Sequence, residues 1–143
     1  METIEELEKY LEEECYSFLE ITIGSHYAYE GIIIEKNEEG YVLAASERGR
    51  REVLKSFPSE KDLVTYALEY LASNKWHRGH LVAWVWSREE IEQAEAELNH
   101  MQIAFERNDI RNYSKGRNAY RIFVFGRDIL LLESFKRTYL NYH

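Results

Sequence analysis

The chain has 143 residues, an apolar fraction of 45% and an aromatic fraction of 14%, enough for a real core and too hydrophobic for a disordered tail. Its one cysteine excludes an intramolecular disulfide and predicts a reducing, cytoplasmic setting. A net charge of −8 argues against general nucleic-acid binding, which is driven by phosphate neutralisation.

Thr3 and Glu6 form a capping box ahead of a first helix. Its apolar stripe is Ile4, Leu7, Leu11, Cys15 and Phe18, with Glu5, Glu8, Glu12 and Glu13 turned outward. Cys15 on that stripe reads as a small core residue, not a nucleophile. This acidic, amphipathic start is unlike a signal or transit peptide. Phe18 to Ile23 begins a strand, Gly24-Ser25 punctuates it, and Tyr27 to Lys36 gives another. Asn37 to Gly40 is a hairpin loop.

Tyr41 to Ala45 suits a strand buried on both faces, and Arg48-Gly49 supplies a tight reversal. Val53, Leu54 and Phe57 form the next strand, stopped by Pro58. Ser59 then caps a second helix, with Asp62 three residues on and Leu63, Ala67, Tyr70 and Leu71 on its apolar face. Asn74 to Gly79 connects to a buried strand, His80 to Trp86. Within it Leu81 to Trp86 is the longest unbroken apolar run, too short to span a bilayer. Ser87 with Glu90 caps a third helix bearing Ile91, Ala94, Leu98, Met101 and Phe105. Arg107 to Asn118 reads as an exposed polar loop. Tyr120 to Phe125 is a strand, and Asp128 caps a last helix holding Ile129, Leu132, Phe135 and Tyr139. The expectation is one α+β domain over residues 1–143, mainly an antiparallel sheet packed against about four helices.

Trp76 to His80 is the one stretch that could carry chemistry, because His77 and His80 lie three residues apart. No second cysteine or HExxH pattern completes a metal site, and His26 and His100 stand alone. No catalytic set, metal or cofactor is therefore expected. Arg111, Lys115, Arg117 and Arg121, with Tyr113 and Tyr120 between them, resemble a small basic-aromatic patch. On so acidic a chain a solvated loop or a set of internal ion-pair partners is the simpler reading. No nucleic-acid or membrane partner is expected.

Ser46-Glu47-Arg48-Gly49, then Phe57, then Ser59-Glu60 opening a helix with Tyr66, Ala67 and Leu71, resembles a pattern of immunity proteins from bacterial polymorphic toxin systems. Tyr120 to Gly126 fits one such group. The resemblance rests mainly on residues 41–71 and implies a small cytoplasmic protein that binds and neutralises a cognate toxin C-terminal domain without chemistry of its own. Residues 1–106 hold 10 basic and 23 acidic side chains, and residues 107–143 hold 8 and 3. That imbalance predicts a basic partner, met by a face joining Glu12, Glu13, Glu38, Glu39 and Glu47. The alternatives are an adaptor domain with no toxin partner, or a small hydrolase using His77 or His80.

Overall fold

The structure is a computed structural model and describes residues 1–141. The α+β class and the mainly antiparallel pairing are as the sequence predicts, and the strands divide between two sheets. The chain forms two compact units, Met1–His77 and Arg78 onward, each with its own sheet. Alternation identifies strands, but which strand pairs with which is a long-range outcome that no local pattern encodes.

In the first unit, α1 (Ile4–Glu13) starts at Thr3, whose side chain accepts from the Glu6 N–H while the Glu6 carboxylate accepts from Thr3. The Glu2 N–H first, and then Thr3, hold that carboxylate below its ordinary pKa. The helix stops earlier than its apolar stripe suggests. Glu14 caps it and Cys15 adopts a left-handed φ of 55°, so Cys15 and Phe18 lie beyond the helix. The sheet follows in the order β1 (Ile21–Ile23), β2 (Gly31–Asn37), β3 (Gly40–Glu47) and β4 (Arg50–Phe57). β1 is parallel to β2, and the other pairs are antiparallel. Val42, Leu43 and Ala44 are all buried, so β3 is covered on both faces as expected. Arg48 and Gly49 both have positive φ, 52° and 79°, the type I′ geometry that matches strand twist in a two-residue hairpin. α2 (Glu60–Ala72) begins where the Ser59 hydroxyl accepts from the Asp62 N–H. Leu7 and Leu11 of α1 and Leu63, Ala67 and Leu71 of α2 bury against Ile21, Ile23, Ile32, Ile34 and Leu43 of the sheet. The Glu60 carboxylate accepts from the Ile4 N–H at 2.9 Å, tying the two helix starts together.

The connector expected over Asn74 to Gly79 holds a 3-10 turn, Lys75–Arg78. In the second unit, β5 (Gly79–Val85) and α3 (Arg88–His100) fall where the sequence places them, and the Ser87 cap to Glu90 is present. Met101 and Phe105 lie beyond the end of α3, and Met101 is exposed. The expected loop over 107–118 is a correction. It holds the end of β6 (Glu106–Arg107), all of β7 (Ile110–Ser114) and a second type I′ turn at Lys115-Gly116 before β8 (Arg117–Phe125). β7 is polar on both faces, so alternation gives no sign of it. Asp128 does not cap the last helix. It lies inside a 3-10 segment, Gly126–Leu131, and α4 (Glu133–Tyr139) starts without a side-chain cap. The core joins Val82, Ala83 and Val85 to Ile91, Leu98, Ile122, Val124, Leu132, Phe135 and Tyr139.

Candidate functional site

The most exposed apolar side chains of the first unit lie around the short β1 strand. After the α1 cap, the Ser17 N–H donates to the His77 carbonyl at 2.8 Å and fixes the entry to the turn. β1 then runs for only three residues. The chain reverses at Gly24-Ser25, and Ile23 and His26 exchange backbone hydrogen bonds of 3.0 and 2.9 Å. Residues 24–30, the strap, run back alongside β1. Ala28 is buried and its N–H donates to the Thr22 hydroxyl at 2.8 Å, which leaves the residues on either side pointing outward. Tyr27 is 81% exposed and Tyr29 73%, and Leu19 at the start of the same segment is 86% exposed. A scattered surface leucine needs no explanation, but a leucine and two tyrosines left open on one short segment do.

Gly31 closes the strap with a second reversal. Its φ is 120°, and a Cβ there would lie 2.1 Å from the Glu20 carbonyl oxygen, which accepts from the Ile32 N–H. This close approach is how a parallel β1–β2 pair forms over so short a connection. The result is an open groove of about 630 Å³, lined by Leu19, Tyr29, Ile32 and Ala45, by the carboxylates of Glu20, Glu30 and Glu47, and by His77. Glu30 accepts from the Arg48 N–H at 3.0 Å, holding the β3–β4 turn beside the groove. Glu20 and Glu47 make no ion pair among the described residues.

Of the residues chosen from sequence for a partner face, Glu47 lines this groove. Glu38 and Glu39 form the β2–β3 turn, at the other end of β3 from the Arg48-Gly49 turn. Glu39 there pairs with Arg51 at 3.6 Å. Glu13 is exposed at the end of α1. Glu12 faces His26, whose Nε2 lies 3.6 Å from it and 3.7 Å from Glu8. Thus Glu47 joins Glu20 and Glu30, Glu12 joins Glu8 and His26, and the five chosen residues do not share one site. Leu19, Glu20, Tyr29 and Glu30 are the ones sequence reasoning missed. The available signal was Gly31, which divides the run from Tyr27 to Lys36 into strap and strand.

Comparison with known protein families, curated proteins and solved structures finds no match to this chain. The site therefore has to speak through its own chemistry.

His77 donates from Nδ1 to the Leu71 carbonyl at 3.1 Å, since a carbonyl can only accept, and its ring stacks on Tyr70. That arrangement holds a turn in place. His80 lies in β5, opposite Val124 of β8. In the second unit the basic-aromatic residues do assemble. The Arg117 guanidinium sits 4.2 Å over the Trp86 ring, and Tyr113 packs edge-on to Trp84. Arg121 lies over Trp84 and Phe123 and donates twice to Asn108, at 2.8 and 2.7 Å. Arg107 is bound by Asp109 and Glu95, and Asp109 is the main reason its pKa is raised further. Of the patch read from sequence, Arg121 is engaged by Asn108, whereas Arg111, Lys115 and Arg117 are exposed.

Proposed function

We propose that this chain is a non-enzymatic binding protein that captures a basic partner in the groove between Leu19, Tyr29 and Glu47. Taken with the resemblance over residues 41–71, the partner is a cognate toxin domain and the chain is its immunity protein. The observation that carries the reading is the pairing of open apolar side chains with unengaged carboxylates, Leu19 and Tyr29 beside Glu20 and Glu47. Covering a leucine or tyrosine of this exposure contributes about 1.5–3 kcal/mol each, which is the anchor of an interface. Carboxylates at the rim add orientation and encounter rate more than affinity. The unit containing the groove holds 8 basic and 17 acidic side chains over residues 1–77, a net of −9 that draws a cationic surface from a distance. Inhibition by occlusion requires no catalytic group.

The direct test is capture of the C-terminal domain encoded immediately upstream of this gene, with growth protection on co-expression. L19A and Y29A should each weaken binding by about 2 kcal/mol through faster dissociation, with unfolding midpoints unchanged. Glu20→Lys with Glu47→Lys should slow association at least ~10-fold at low salt and little at high salt. Unaltered protection by all of these variants removes the groove from the interface. Binding without protection would instead mark an adaptor.

A further inference from the structure

We infer that Glu8, Glu12 and His26 form a binding site for a zinc-class divalent cation, which clamps the strap to α1. Glu8 and Glu12 are one helical turn apart, the spacing that brings two side chains to one face, as in helices that present paired metal ligands. His26 comes from the strap and supplies a nitrogen donor of different chemistry from the two carboxylates. Its Nε2 lies 3.7 Å from Glu8 Oε2 and 3.6 Å from Glu12 Oε1, and one ligand atom from each of the three residues falls within 4.8 Å of the others.

The lengths are informative. A hydrogen bond between imidazole N–H and carboxylate spans about 2.7–3.2 Å, so the imidazole bonds directly to neither oxygen. Around a tetrahedral ion with bonds of about 2.0–2.1 Å, neighbouring ligand atoms stand about 3.4 Å apart. The two measured separations exceed that by a few tenths of an ångström, and all three ligand atoms lie within 4.8 Å of one another, so a small closure of the side chains brings them within reach of one cation.

The donors are also held by groups that do not bind the cation. The His26 ring stacks on Phe18 at 3.7 Å with an interplanar angle of 15°, and its backbone is bridged to Ile23. Glu8 Oε2, the oxygen measured from His26, also accepts from the Ser25 N–H at 2.8 Å and from its hydroxyl at 2.9 Å, which fixes the carboxylate. Gly24 leaves room for it, since a Cβ there would come within 2.5 Å of the Glu8 carboxyl carbon. Glu12 is 52% exposed, so the site has an open side for entry and for a water as fourth ligand. One imidazole and two carboxylates suit zinc and its first-row neighbours, while magnesium and calcium prefer oxygen alone. The cation would fix the segment that carries Tyr27 and Tyr29. That consequence rests on the docking reading above, whereas cation binding itself does not.

The test is calorimetric titration of the chelator-treated full-length chain with zinc chloride, repeated with magnesium chloride. One zinc per chain is expected, with no magnesium binding, and Glu12→Gln and His26→Gln should each weaken zinc at least about tenfold. Zinc should also raise the unfolding temperature of the native chain and not that of Glu12→Gln, an exposed change that leaves the core untouched. No zinc binding, or zinc binding that both variants retain, overturns the site. If zinc binds as expected and chelation leaves capture of the upstream-encoded domain unchanged, the clamp has no role in docking. If Y29A abolishes capture while zinc still binds, the metal site and the groove both stand, as separate functions.

Discussion

The two units use aromatic and charged side chains in opposite ways. In the second, residues 78–143 hold 10 basic and 9 acidic groups, and the rings of Trp84, Trp86 and Phe123 are sheathed by the guanidinium groups of Arg117 and Arg121. Arg107 and Arg121 there find partners close to home, in Asp109, Glu95 and Asn108, and the Trp84, Trp86 and Phe123 rings lie under guanidinium groups. In the first unit Tyr27, Tyr29 and Leu19 stand in solvent, and Glu20 and Glu47 make no ion pair among the described residues. An aromatic-basic cluster is the more familiar sign of a binding surface, yet here its rings and guanidinium groups pack on one another. The difference teaches that exposure and unmet charge, rather than residue type, mark where a partner is expected.

The largest expected effect comes from breaking the backbone crossing that makes the first unit's surface possible. Gly31→Ala puts a methyl group at 2.1 Å from a backbone oxygen, at a φ that L residues rarely adopt, so neither neighbour can yield by rotating a side chain. The expected loss is about 3 kcal/mol or more in urea denaturation, concentrated in residues 1–77 by hydrogen exchange. Gly49→Ala meets nothing within 4 Å and bears only the strain of a positive φ, so it should cost about 1 kcal/mol. Equal losses at the two positions would show that the Gly31 crossing is not what shapes the groove.

How far this was legible in the sequence follows from the range of the interactions. The caps at Thr3, Ser59 and Ser87 are local hydrogen bonds between residues three apart, and each was found. The Arg48-Gly49 reversal was legible for the same reason, since its geometry follows from the glycine and its flanking strands. The Lys115-Gly116 turn shares that geometry, but polar β7 has no buried face to announce it. Within the candidate site Glu47 was legible from charge. Leu19 and Tyr29 were not, because an exposed apolar residue looks like a core residue until the fold decides what covers it. Glu8 and Glu12 carried a readable spacing, but the turn that brings His26 to them depends on β1 and Gly24, outside any local window.

A smaller effect belongs to the second unit. Burial, and next the Glu97 carboxylate to which its hydroxyl donates, push the Tyr139 pKa up to about 12. The unfolded value is about 10, so the folded state favours the protonated phenol. That stabilisation is complete below about pH 10 and is lost as pH rises through 12, on the order of 2 kcal/mol in all. Unfolding free energies between pH 9 and 12 should fall less steeply in Tyr139→Phe, and identical slopes would detach the hydroxyl from the unit's stability.

The smallest effect separates the two surfaces most cleanly. An exposed cation–π contact is worth about 0.5–1 kcal/mol, so Arg117→Ala should lower the unfolding free energy in urea by that amount through loss of the contact with Trp86. It should leave capture of a basic partner unaltered. Tyr27→Ala, at a ring 81% exposed, should do the reverse, with stability within about 0.5 kcal/mol of the parent and dissociation from the partner faster. The crossed result, with Arg117 needed for binding and Tyr27 for folding, would exchange the roles of the two units. Arg117 has its partner within the fold, and its removal must be felt there first. Tyr27 has spent nothing on folding, so its contribution can appear only when something covers it.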